Sequence, residues 1–98
     1  MIIVLGSVVV RDSLIDAAVR LSREHVHRSR AEAGCLSHAV HRDCENPARL
    51  VFVEEWTDET SLRQHFTVPE SRAFVAALGP MAVEAPSMTI YNSKRVVL

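Results

Sequence analysis

The sequence predicts an α+β chain, one antiparallel sheet with its helices on one face. Three observations carry this reading. A β-branched apolar run at the N-terminus gives way after Ser13 to apolar residues at helical spacing. Two strand-like stretches, 35–42 and 49–56, flank a turn marked by Asn46-Pro47. Beyond them the Val68-Pro69 break divides a helical region in two, and a last apolar stretch follows Pro86.

Each element has its own grounds. Residues 2–10, IIVLGSVVV, read as a buried strand with Ser7 as its one polar side chain. Asp12 and Ser13 offer N-caps, and Ser13 to Asp16 has capping-box spacing. Leu14, Ile15, Ala18, Val19, Leu21, Ser22, His25, Val26 and Ser29 share one helical face. Gly34 is the expected residue that ends this helix. The stretches CLSHAVHR and RLVFVEEW then form a hairpin. Thr57 or Asp58 caps a short helix with Leu62, His65 and Phe66 on one side. Thr67 to Glu70 has capping-box spacing for a third helix, with Phe74, Val75 and Leu78 inward, ended by Gly79-Pro80. The last strand is expected over 88–97. The order β-α-β-β-α-α-β is that of a ferredoxin-like sandwich.

Composition narrows the function. The chain has 98 residues, of which 48% are hydrophobic, with a net charge of -1. That length suits one domain, and the apolar share argues against disorder. A near-neutral charge offers no electrostatic reason for nucleic-acid binding. The apolar N-terminus is too short to span a bilayer, and it lacks the basic start and cleavage site of a signal peptide. A cytoplasmic protein with no membrane partner is expected. Cys35 and Cys44 fit no disulfide framework or zinc motif. Val51, Val53 and the Val-rich first strand leave the face away from the helices with little polar cover, so a two-fold homodimer, sheet against sheet, is expected.

Strand parity nominates a site. Phe52, Glu54 and Trp56 share a face, as do Leu36, His38 and Val40 on the neighbouring strand. A turn near Glu45–Asn46 would set Val40 against Phe52, His38 against Glu54 and Leu36 against Trp56. A carboxylate then lies beside an imidazole on an apolar face, with His65 able to hang over it. A histidine held by a carboxylate is a competent general base. The plainer alternatives are an ion pair of Glu54 with Arg49 or Arg63, and core roles for His38, His65 and Trp56. His25 reads as an ordinary helix-face histidine. His25 and His27 face different ways on their helix, and His38 and His41 lie on opposite faces of their strand. No metal site is expected from these spacings.

Together, Glu32-Ala33-Gly34-Cys35, Glu54-Glu55-Trp56, His65 and Thr67-Val68-Pro69 resemble the antibiotic biosynthesis monooxygenase family. The resemblance is close over residues 32–74. It implies a dimeric α+β barrel with one pocket per subunit between sheet and helices. It also implies oxygenation of a quinol-like or polyphenolic small aromatic substrate by molecular oxygen, without metal, flavin or other cofactor. On that reading His65 handles the proton and Glu54 orients it. Trp56 and Phe52 form an aromatic wall, His38 makes a second polar contact, and Ser7 adds a hydroxyl. Places that bind haem in haem-degrading relatives hold Ser7, His65 and the His-free stretch Glu70 to Leu78, so haem degradation is not expected. Non-oxidative isomerases and ligand-binding proteins of the same fold are the alternatives.

Overall fold

The N-terminal run pairs as a central strand because its β-branched side chains fill both faces of a pleated sheet. The computed structural model, which describes residues 1–98, has β1 over Ile2–Val9, α1 over Ile15–Ser29, β2 over Cys35–Arg42 and β3 over Arg49–Trp56. Then come α2 over Glu59–Thr67, α3 over Pro69–Leu78 and β4 over Ser87–Asn92. The sheet is four-stranded with order β2-β3-β1-β4, and its paired strands are antiparallel. This is the ferredoxin-like α+β sandwich expected from the element order. No helix is long and apolar enough to cross a membrane.

Strand alternation sorts the sheet into two unlike faces. Ile2, Val4, Val8, Leu50, Phe52 and Trp56 turn toward the helices and are buried. They form two apolar clusters. One gathers Val8, Val10, Leu50 and Phe52 with Ala18, Val26 and Leu78; the other gathers Ile2, Val4 and Trp56 with Leu62. Along β3 the order Leu50, Phe52, Glu54, Trp56 places a carboxylate at the seam between them. On the opposite face no helix covers Ile3, Val51 and Val53, which are half-buried, or Leu5, which is exposed.

Several local expectations are corrected. Neither Asp12 nor Ser13 caps α1: residues Asp12–Leu14 form a lead-in 3-10 turn whose Leu14 N–H donates to the Arg11 carbonyl. Asp58, not Thr57, is the N-cap of α2, accepting from the Ser61 N–H at 2.8 Å. The helix break belongs to Val68-Pro69 itself, with Val68 closing α2 and opening α3 and no side-chain cap from Thr67. Pro69 stands in the first turn of α3, where its missing N–H costs nothing. Val75 is 65% exposed rather than inward. The last strand ends at Asn92, which pairs with Ile2 at the start of β1.

The hairpin register agrees with expectation at His38↔Glu54 and Val40↔Phe52. It departs at the end, where a shift between Cys35 and Ser37 sets Cys35 against Trp56 and turns Leu36 out to solvent. A bulge of this kind inserts one residue and reverses its side chain.

Gly34 does not end α1, whose last helical residue is Ser29. It turns the chain into β2 with φ of 82°, and its carbonyl accepts from the Thr57 N–H. A Cβ there would run into the Ser61 hydroxyl and stand 2.8 Å from Thr57 Oγ1. Gly34→Ala should therefore destabilise the fold by at least ~1–2 kcal/mol, the cost of a left-handed backbone alone. Urea denaturation checks this, and an unchanged midpoint contradicts it.

Candidate active site

The site grows from the seam between the two apolar clusters. Trp56 lies two residues after Glu54 on the same strand face, so its indole Nε1–H reaches back to Glu54 Oε1 at 2.9 Å. Across the hairpin, His38 Nε2 stands 3.2 Å from the same oxygen. That approach is close but lies off the line a hydrogen bond needs, and both ring nitrogens of His38 are left without a hydrogen-bond partner. Burial by itself pushes the Glu54 carboxyl up; contact with His38 and the Trp56 N–H outweigh it and hold the carboxyl below its ordinary range.

Two helices add two more imidazoles. His65, near the end of α2, has Nδ1 2.8 Å from Glu32 Oε1. A carboxylate only accepts, so this bond assigns the proton to Nδ1 and leaves the Nε2 lone pair free. Its ring leans over Trp56, with centroids 4.7 Å apart. His25, on the buried arc of α1, stacks on Phe74 of α3 at 4.1 Å and 7°. Arg28 NH2 stands 2.7 Å from His25 Nδ1 and 3.1 Å from Ser71 Oγ. The three ring centroids of His25, His38 and His65 lie 5.2, 5.3 and 5.5 Å apart. Burial, then the charges of His38, His65 and Arg28, push His25 down to about 3, with Glu54 opposing.

Beside this cluster lies a cavity of about 540 Å³. His25, Glu54 and His65 reach its wall; Phe52, Phe66 and Phe74 supply aromatic surface, and Leu78 and Met88 aliphatic surface. An apolar chamber with a few convergent polar groups is the usual form of a small-molecule site.

The structure brings together some of the expected residues and separates others. Phe52, Glu54 and His65 line one chamber. The pairing of His65 with Glu54 is corrected: the partner of His65 is Glu32, and Glu54 is held by Trp56 and His38. Arg49 and Arg63 pair instead with Asp43 and Glu59. Trp56 is fully buried in the apolar cluster behind Glu54, so it holds the carboxylate and does not form a wall. His38 likewise sits behind Glu54, with 1% of its surface exposed. Ser7 borders the chamber, but strand alternation turns its hydroxyl to the other face, where it bonds Ser87 Oγ. Sequence reasoning missed His25, Glu32, Arg28 and Phe74. The one available signal was His25 itself, a large polar ring on a buried arc of small residues, Ala18, Ser22, Val26 and Ser29, that needs a partner.

The fold that carries these features has counterparts among known proteins. The sequence profile of the antibiotic biosynthesis monooxygenase family matches residues 1–77. The chain belongs to that family. A solved structure described as an antibiotic biosynthesis monooxygenase superposes with a TM-score of 0.90 at 24% identity, covering 97% of this chain and 100% of the other. A conserved protein from Methanosarcina mazei Go1 gives a TM-score of 0.90 at 27% identity, covering 95% and 92%. An uncharacterized Synechocystis protein, sll1783, is 27% identical over 93% of this chain. The chain spans 62% of that relative's length. Within this monooxygenase-family fold, the histidine cluster is what the local sequence does not display.

The neutral state of His25 sets a pH dependence. The unfolded chain takes up a proton on this ring near its ordinary value of 6.5, and the folded chain only near about 3. Stability is therefore full above that upper value and is lost as pH falls through the window toward the lower one. The lowered Glu54 carboxyl acts in the same direction at the acid end. Urea titrations at neutral and mildly acid pH should show a smaller drop for His25→Gln than for the parent chain. Equal drops would mean that His25 is not held neutral by the fold.

Proposed function

We propose that the chain is a cofactor-independent monooxygenase of a quinol-like or polyphenolic small aromatic substrate. The observation that carries this reading is His65, a base with its tautomer set by Glu32, at the edge of an aromatic-walled apolar chamber. A flat phenol fits between Phe52, Phe66 and Phe74. His65 Nε2 accepts its proton, and the resulting His65 cation is balanced by Glu32 and the nearby Glu54. The substrate anion supplies the electrons that reduce dioxygen. One oxygen atom enters the product and the other leaves as water, so substrate oxidation balances the reduction without an external donor. An apolar wall also keeps water from quenching the reactive anion.

The test is oxygen uptake with anthrones and naphthoquinols. His65→Gln should lower kcat by about 10²–10⁴-fold, the usual contribution of a general base. Glu32→Gln should lower it by less, because it disturbs only the tautomer of His65. Full turnover in His65→Gln contradicts the assignment, and turnover that continues without oxygen points to an isomerase.

We also propose that the functional unit is a homodimer closed through the uncovered sheet face. In its favour, Leu5 and Tyr91 are 43% and 50% exposed on a face with half-buried Ile3, Val51 and Val53 beside them. Exposed apolar residues grouped on a sheet face mark an interaction surface when the patch is large. A second copy matches it by symmetry. Sedimentation should give a dimer at micromolar concentration, and Val53→Glu should shift it to monomer. A monomeric parent chain overturns the proposal.

A further inference from the structure

The geometry points to a binding site for one divalent transition-metal ion, zinc in type, held by His25, His38 and His65. This inference goes beyond the oxygenation proposed above and does not depend on it. Both use His65 Nε2, whose other ring nitrogen is held by Glu32, so the metal-bound chain is a separate state in which His65 takes no substrate proton. One ring nitrogen from each of the three histidines lies within 4.8 Å of the others, and all three side chains are buried. Zinc–nitrogen bonds of about 2.0–2.1 Å in a tetrahedral site place their nitrogens about 3.3 Å apart. Closure thus asks the three nitrogens to draw together by on the order of an ångström.

Independent features favour a cation here. His38 is 1% exposed, yet neither ring nitrogen has a hydrogen-bond partner. Buried imidazoles are seldom left in that state, and each such group asks for a cause. His65 carries the support that metal-bound histidines usually have, a carboxylate on its second nitrogen, here Glu32 at 2.8 Å. Glu32 Oε2 is itself buried and unpartnered. Glu54 Oε1, 3.2 Å from His38 Nε2, is a fourth donor within reach. Three imidazoles and a carboxylate suit zinc, cobalt or copper and not magnesium or calcium, which prefer all-oxygen sites. His25, His65 and Glu54 face the chamber, so an ion has a route in.

One cation already contacts the site. Arg28 donates into His25 Nδ1 at 2.7 Å, which places the His25 proton on Nε2. Neither nitrogen can then bind a metal until Arg28 lets go. Its second bond, to Ser71 Oγ at 3.1 Å, gives it somewhere to stay. Arg28 and the metal therefore compete for His25, and the guanidinium charge opposes the ion. Removing Arg28 should strengthen metal binding, a result that an adventitious site at the surface would not show.

The experiment uses the chelator-treated full chain titrated with cobalt(II), followed by the visible absorption of four-coordinate cobalt. We expect one cobalt per chain, displaced by zinc(II). His38→Asn should abolish the band. Glu32→Gln should weaken binding by about 10–100-fold, the usual effect of losing the outer carboxylate. Arg28→Leu should tighten it several-fold. The double variant His27→Ala/His41→Ala, which removes two exposed histidines, should bind as the parent does. Should His38→Asn fail to fold by circular dichroism, Glu32→Gln and Arg28→Leu decide. The inference is overturned by absence of the band, by unchanged affinity in Glu32→Gln and Arg28→Leu, or by loss of binding in the double variant. Because the readout is binding, a chain that binds cobalt but oxygenates nothing retains this inference while the proposed activity fails.

Discussion

The interaction on which the site depends is the capture of Glu54 between Trp56 and His38. A carboxylate on the buried face of a central strand would ordinarily be neutralised or expelled. Here an indole N–H at 2.9 Å and an imidazole at 3.2 Å keep it charged within the core. The consequence is architectural. Two apolar clusters meet at a polar seam, and the chamber, His65 and His25 are arranged around that seam. A hydrophobic residue in place of Glu54 would join the clusters and leave His38 without its neighbouring carboxylate.

The cluster is also economical in elements. α1 contributes His25, β2 His38, β3 Glu54 and α2 His65, while the loop after α1 brings Glu32. Each side chain is oriented by a partner on a different element or strand position. The left-handed Gly34 lies next to this convergence, with its carbonyl bonded to the Thr57 N–H at 2.9 Å. It couples the end of β3 to the start of β2, and so helps place Glu32 opposite His65. In such an arrangement packing and chemistry are not separable, because the contact between Glu32 and His65 that joins two elements also selects the tautomer of His65.

The apolar composition divides along the same lines. The helix-facing side of the sheet is filled from within the chain. The other side keeps Leu5, Tyr91 and the valines of β3 without cover. The edge strand β4 is exposed along its whole length. A chain of this size has too few helices to cover both faces, so part of its apolar surface lies outside the core.

The sequence by itself determined the element order, the break at Val68-Pro69 and the pairing of His38 with Glu54. These follow from periods of two and 3.6 residues and from local backbone limits, all of which act between near neighbours along the chain. It also nominated Glu54, His65 and Phe52 as chamber residues. Only the tertiary structure decided that Glu32 is the partner of His65, that Trp56 supports Glu54 from behind, and that His25 joins His38 and His65. The bulge at Leu36 escaped notice because parity assumes an unbroken strand. Glu32 and His65 lie 33 positions apart on separate elements, and no periodicity relates them. Histidines that converge from two helices and a strand leave no spacing rule in the sequence; their meeting is set by how the helices pack on the sheet.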